Sequence, residues 1–250
     1  MNDDSPAPPP HDPALHFHNY VDPHHHESRL RDIILGGQDG LVNVLGVILG
    51  VAAATQDVRV VLAAGLAAAL AESVSMGAVA YTSTQAQRAL YQSEHEREHR
   101  HIDRVPQLER SEIRELYRKK GFSGPLLERI VETITADPEV WVAVMMSEEL
   151  KLTPVSTGDA WRAALVVGVS AIVGSLLPLV PFLALPMTAA IAVSLGVTAL
   201  TLFAVGAYQA VTTVGHWLRS GLRLAAIGMA SALVGYGVGA LFKVPSGAGG

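Results

Sequence analysis

Residues 33–55 read IILGGQDGLVNVLGVILGVAAAT, and residues 58–86 read VRVVLAAGLAAALAESVSMGAVAYTSTQA. Each stretch reaches the roughly 20 apolar residues that a helix needs to cross a bilayer. Gln56 and Asp57 are the only residues between them, so they predict a tight turn. Each stretch also carries an embedded carboxylate, Asp39 in the first and Glu72 in the second.

Working outward, three more stretches of spanning length follow: Ala160 to Leu183, Leu185 to about Thr213, and Gly221 to about Phe242. Half of all residues are apolar and 16% are charged, and most of the charge lies between Arg88 and Lys151. The fold class expected is therefore all-α, a polytopic membrane protein with five transmembrane helices and a helical insert between helices two and three. The expected division is a polar His-rich tail over 1–28, helices one and two over 29–87, the insert over 88–158, and helices three to five over 159–250.

An odd number of spans puts the termini on opposite sides. With the N-terminus cytoplasmic, 16 of the 18 Lys and Arg residues fall on the cytoplasmic side, leaving only Arg59 and Lys243 outside. This is the positive-inside pattern, so the N-terminus and insert are expected in the cytoplasm and the C-terminus outside. Compactness and charge bias suggest a bacterial inner (plasma) membrane; a vacuolar membrane would keep the same sidedness toward the cytosol. The tail lacks the basic and short apolar regions of a signal peptide. The net charge of -5 gives no reason to expect a nucleic-acid partner.

No cysteine is present, so any metal must be held by carboxylate, imidazole, thioether or backbone oxygen. A charge at mid-span costs about 2.5 to 3.5 kcal/mol on insertion scales, so Asp39 and Glu72 should face a cavity or a partner. Asn43 follows Asp39 by four and Met76 follows Glu72 by four, placing each pair on one helix face. Together they offer two carboxylates, an amide and a thioether to a pathway between spans one and two. The plainer alternative is a protonated acid hydrogen-bonded between helices.

The insert reads as helices. Span two meets no breaker before Val105-Pro106 and should continue beyond the membrane. A second helix runs from about Leu108 to Lys120 and stops at Gly121, Pro125 opens a third, and Asp137-Pro138 starts a fourth that carries Val140 to Lys151. Glu98 with His101, then Glu109 with Glu112, repeat a three-residue spacing on successive helices, while Met145, Met146 and Glu149 sit on the fourth. Glu94 lies one turn before Glu98. Such edges can converge on one centre, and carboxylate with imidazole suits Fe²⁺ or Mn²⁺. Read singly, a Glu pair is a solvated face and Met145-Met146 is core.

His11, His16, His18, His24, His25 and His26 form either a metal-capturing tail or a flexible polar one. His95 and His99 either extend the insert site or are solvated, and His216 is expected at the interface. Glycine pairs four apart, Gly36 with Gly40, Gly46 with Gly50 and Gly235 with Gly239, are compatible with helix packing or dimerisation.

The chain resembles the vacuolar iron transporter family. The resemblance rests on Arg31-Asp32-Ile33-Ile34-Leu35-Gly36 with Asp39-Gly40-Leu41, on Ser75-Met76-Gly77 with Tyr81, and on Val105-Pro106. Trp141 with Met145-Met146 and Glu149-Leu150, and Pro178-Leu179-Val180-Pro181, complete it. It implies a homodimer of five-span subunits exchanging Fe²⁺ for protons, with Asp39 and Met76 as membrane ligands at the dimer interface. It implies a metal-binding domain ligated by Glu98, Glu109, Glu112, Met145, Met146 and Glu149. His101 stands where a glutamate is usual, which removes one negative charge, and Glu72 has no clear counterpart. The resulting expectation is a proton-coupled carrier of Fe²⁺ or Mn²⁺ out of the cytosol, with no prosthetic group and no enzymatic activity. The competing readings are a membrane-anchored ferroxidase or iron-storage module, and a metal-sensing insert on a transporter of another solute.

Overall fold

The computed structural model describes residues 27–212 and 215–243. The histidines of the tail lie outside the described residues.

Among the described residues every regular element is helical, and five helices are long and apolar enough to cross a membrane. Helix α1 spans Glu27–Ala54 and α2 spans Val58–Arg104. The turn between them closes as expected: the Asp57 side chain caps α2 by accepting from the Arg59 N–H at 2.8 Å. At about 1.5 Å per residue, the 47 residues of α2 measure about 70 Å, more than twice the roughly 30 Å of a hydrocarbon core. One rigid helix therefore belongs both to the apolar bundle and to the insert.

The insert is built from α3 (Pro106–Lys119), α4 (Gly124–Thr135) and α5 (Pro138–Val144), and α5 runs on into a π-helical turn over Met145–Glu149. Helix α3 stops at Gly121, whose φ of +98° lies in the left-handed region that glycine enters without steric cost. Asp137 caps α5 through the Glu139 N–H at 2.9 Å.

The last turn departs from the regular α-helix expected through Lys151. The Leu150 N–H reaches back five residues to the Met145 carbonyl, and Lys151 takes a φ of +53°. The wider turn accommodates two consecutive methionines, Met145 and Met146, that are both buried.

Three further apolar helices complete the bundle: α6 (Thr157–Leu179), α8 (Met187–Thr212) and α9 (Trp217–Leu241), with the single turn α7 (Pro181–Ala184) linking α6 to α8. The third span thus ends at Leu179 rather than Leu183. Pro178 and Pro181 cannot donate backbone hydrogen bonds, so the helix breaks and restarts. The Ser194 hydroxyl of α8 donates to the Pro178 carbonyl at 2.8 Å at this break. The fifth span begins at Trp217, four residues before the expected Gly221, with His216 as its N-cap.

Helix α1 is the centre of the bundle, packed on α2, α6 and α9. Its glycine stripes are consumed inside the chain. A Cβ at Gly40 would strike the Ala171 carbonyl of α6, and one at Gly50 would lie 2.9 Å from the Gly235 carbonyl of α9. In return, a Cβ at Gly239 would strike the backbone of Gly50. Backbones this close gain dispersion contacts along their length, which is the main attraction available to helices in lipid.

Two apolar cores result. One gathers Val44, Leu45 and Ile48 of α1 with Val61, Leu179, Phe182 and Ala190, and the other gathers Ile102, Ile113, Leu127, Val131, Trp141 and both methionines in the insert.

Candidate metal centres

The first centre lies between α1 and α2. Asp39, Asn43, Glu72, Ser75 and Met76, with Ala68 and Ala71, line a groove of about 440 Å³. Helical spacing aligns Asp39 with Asn43 and Glu72 with Met76, and the packing of α1 on α2 brings the two pairs together. Asn43 Nδ2 donates to Glu72 Oε2 at 2.7 Å, and the Asp39 carboxyl stands beside that of Glu72. Glu72 is buried, whereas Asp39, Asn43 and Ser75 are exposed on a bundle whose surface is otherwise largely apolar. The groove thus combines two carboxylates, an amide oxygen, a hydroxyl and a thioether. Ser75, part of the Ser75-Met76-Gly77 motif, had no role in the sequence reading; its place one residue before Met76 was the available signal.

The second centre lies in the insert, and its construction is legible residue by residue. Glu98 precedes the core residue Ile102 by one turn on α2, and Glu109 precedes the core residue Ile113 by one turn on α3. Packing the two isoleucines inward draws both carboxylates to the edge of the apolar core, leaving Glu98 6% and Glu109 2% exposed. His101 Nδ1 sits 3.3 Å from Glu109 Oε1, and ligand atoms of Glu98, His101 and Glu109 all lie within 4.8 Å of one another. Glu112 and Glu149 face the same cluster.

Its electrostatics are those of an anionic site short of cations. Glu98 Oε2 and Glu109 Oε2 are buried with no hydrogen-bond partner among the described residues. Buried acceptors of this kind are rare and costly when unpaired. Burial pushes the Glu109 carboxyl up to about 7, and the charges of Glu112 and Glu98 add to the rise. Burial, followed by Glu112 and Glu98, also raises Glu149. A divalent cation among these oxygens would supply the missing countercharge, and the donor set of carboxylates with one imidazole suits iron or manganese.

Met145 and Met146 are buried in the apolar core that adjoins the cluster, with Ile113 and Trp141. Glu94 instead forms an ion pair with Arg97 at 3.0 Å on its own helix. His95 and His99 group with Glu139 of α5 rather than with Glu98, His101 and Glu109. Sequence reasoning missed Glu139, because its approach to α2 depends on the insert's tertiary fold and no local spacing reveals it.

Five membrane-length helices, a carboxylate groove between two of them and an acidic helical insert define a polytopic helical membrane protein with clustered metal-competent side chains. The chain belongs to the VIT family, whose profile matches residues 30–240. It is 30% identical over 233 residues to vacuolar iron transporter 1 of Oryza sativa subsp. japonica, covering 90% of each chain. It is 30% identical over 200 residues to vacuolar iron transporter 1 of Arabidopsis thaliana, covering 80% of each. The vacuolar iron transporter of Toxoplasma gondii is 28% identical, with 88% of this chain and 76% of that protein aligned.

Proposed function

We propose that this protein carries Fe²⁺, with Mn²⁺ as a chemically similar alternative, out of the cytosol in exchange for protons. The observation that carries the reading is one continuous helix, α2, which contributes ligands to both centres. Glu98 and His101 lie at its outer end, and Glu72 and Met76 lie within its apolar half. The names of the relatives agree with iron as the transported ion.

In this scheme Glu98, His101, Glu109, Glu112 and Glu149 collect the ion in the insert, with Met145 and Met146 closing the site from the core side. Asp39 and Met76 bind it in the membrane, assisted by Asn43. Asp39 or Glu72 exchanges the proton, since bound metal and bound proton compete for the same oxygens. The organisation is a tail over 1–28, spans over 29–87 and 159–250, and a cytosolic metal-binding domain over 88–158. The charge asymmetry supports a cytoplasmic N-terminus and insert and an outside C-terminus, a sidedness shared by a bacterial inner membrane and a vacuolar one. Exposed Asp39 and Asn43 are costly against lipid, which supports a homodimer whose second copy covers the groove.

The test is Fe²⁺ uptake into proteoliposomes under an imposed pH gradient, comparing the wild type with Asp39→Ala. Gradient-driven uptake that disappears in the variant is the expected result. Normal uptake by Asp39→Ala overturns the assignment of the membrane site. The carboxylate–imidazole cluster of Glu98, His101 and Glu109 also favours a second reading, a membrane-anchored ferroxidase. That reading requires oxygen consumption with Fe²⁺ that is indifferent to Asp39.

A further inference from the structure

His95, His99 and Glu139 are left over from both centres. His95 and His99 stand one turn apart on the face of α2, with ring centroids 4.9 Å apart. Tyr91, one turn earlier, stacks on His95 with a centroid separation of 6.0 Å. Glu139, in the first turn of α5, points its carboxylate at the pair, with Oε1 3.6 Å from His99 Nε2. One ligand atom from each of the three residues falls within 4.8 Å of the others.

The donors and the His99–Glu139 separation are compatible with a metal site. Metal–nitrogen and metal–oxygen bonds of about 2.0 to 2.1 Å on a tetrahedral ion put neighbouring ligand atoms about 3.3 Å apart, close to the His99–Glu139 separation. Two imidazoles and one carboxylate form a set that Zn²⁺ accepts with a fourth position open to water. The donors also differ from those of the acidic cluster, which is mainly carboxylate and has a single imidazole. Nitrogen-rich sites favour ions later in the first transition row, whereas oxygen-rich sites accept Fe²⁺ and Mn²⁺.

We propose that His95, His99 and Glu139 form a second divalent-cation site, separate from the acidic cluster and suited to a nitrogen-preferring ion such as Zn²⁺. An ion held there ties the start of α5 to α2. Helix α5 leads directly into the π-turn that brings Glu149 to the acidic cluster, so occupancy of one site braces the wall of the other.

The test is Zn²⁺ binding by the purified full-length chain, measured by equilibrium dialysis at neutral pH. The background carries glutamine at His11, His16, His18, His24, His25 and His26, so that the tail adds no imidazole. The expected result is one Zn²⁺ class that survives Glu109→Gln with Glu112→Gln and is lost in His95→Gln with His99→Gln. Glu139→Gln, a change at an exposed side chain, should weaken the same class at least about tenfold, since even outer-shell partners are worth that much. Equal stoichiometry and affinity in the double-histidine variant and the background overturn the proposal. If that variant does not fold, Glu139→Gln decides alone, and unchanged Zn²⁺ affinity overturns the proposal. Iron movement plays no part in the readout, so the outcome is independent of the transport reading.

Discussion

Asn43 Nδ2 donates to Glu72 Oε2 at 2.7 Å, joining α1 to α2 at the wall of the carboxylate groove. The bond makes Glu72 both a packing element and a candidate proton carrier, and the two roles separate by mutation. Glu72→Gln keeps an oxygen for Asn43 to donate to but removes the charge. It should preserve thermal stability in detergent while abolishing pH-gradient dependence of metal uptake. Asn43→Ala leaves a buried acceptor unpaired and should cost about 1 to 3 kcal/mol. Uptake by Glu72→Gln that still follows the gradient would reduce Glu72 to a hydrogen-bonded strut.

The methionines pose the same question in the insert. Met145 and Met146 are 2% and 1% exposed and sit in its apolar core. Met146→Leu conserves volume and should cost less than about 1.5 kcal/mol, whereas Met146→Ala should cost about 2 to 5 kcal/mol. If the thioether also ligates the ion, Fe²⁺ affinity of the insert drops in both variants. Affinity that follows stability alone, intact in Met146→Leu, assigns the residue to the core.

Glu109 gives the insert a pH signature. Its carboxyl is pushed up to about 7 from an ordinary 4.5, mainly by burial. Between those values the folded insert holds a proton that the unfolded chain has released, so the metal-free state loses stability as pH rises through the window and levels off above about 7. Metal binding runs the other way, because the ion needs the ionised carboxylate, and affinity should climb over the same range. Trp141 lies in the insert core and can report unfolding by fluorescence once Trp161 and Trp217 are replaced by phenylalanine. Glu109→Gln should reduce both slopes, leaving the smaller share that burial gives Glu98 and Glu149; slopes unchanged from the wild type would place the titration on another group.

How much of this the sequence discloses depends on how local each feature is. The length of α2 was legible because nothing between Asp57 and Val105-Pro106 interrupts a helix. The pairs Glu98 with His101 and Glu109 with Glu112 were legible because helical spacing fixes their faces. The end of α6 was misplaced by four residues, since apolar composition continues through Pro178-Leu179-Val180-Pro181 while hydrogen bonding does not. The π-turn was invisible, because it answers to the burial of two adjacent methionines in a core assembled from other helices. The partnership of Glu139 with His95 and His99 was hidden for the same reason, with all of α3 and α4 lying between them in sequence.

The glycine stripes show how a legible pattern can leave its partner open, and they allow a sharp test. Gly46 and Gly50 of α1 meet Gly235 and Gly239 of α9 backbone to backbone, within one chain. A side chain at Gly239 collides with the main chain of Gly50, which cannot yield as the tip of a flexible side chain would. Gly239→Val should therefore cost at least about 1 to 3 kcal/mol, the usual range for overpacking, and should lower the thermal midpoint in detergent. Gly237, on the same helix, would meet nothing within 4 Å, so Gly237→Val should be nearly silent. The insert has its own core, so Fe²⁺ binding there should survive Gly239→Val while uptake falls with the bundle. Equal stability of the two variants would mean that the α1–α9 contact does not hold the bundle together. If the chain dimerises as proposed, loss of dimer mass in light scattering, with the monomer still stable, would instead assign the stripe to an interface between copies.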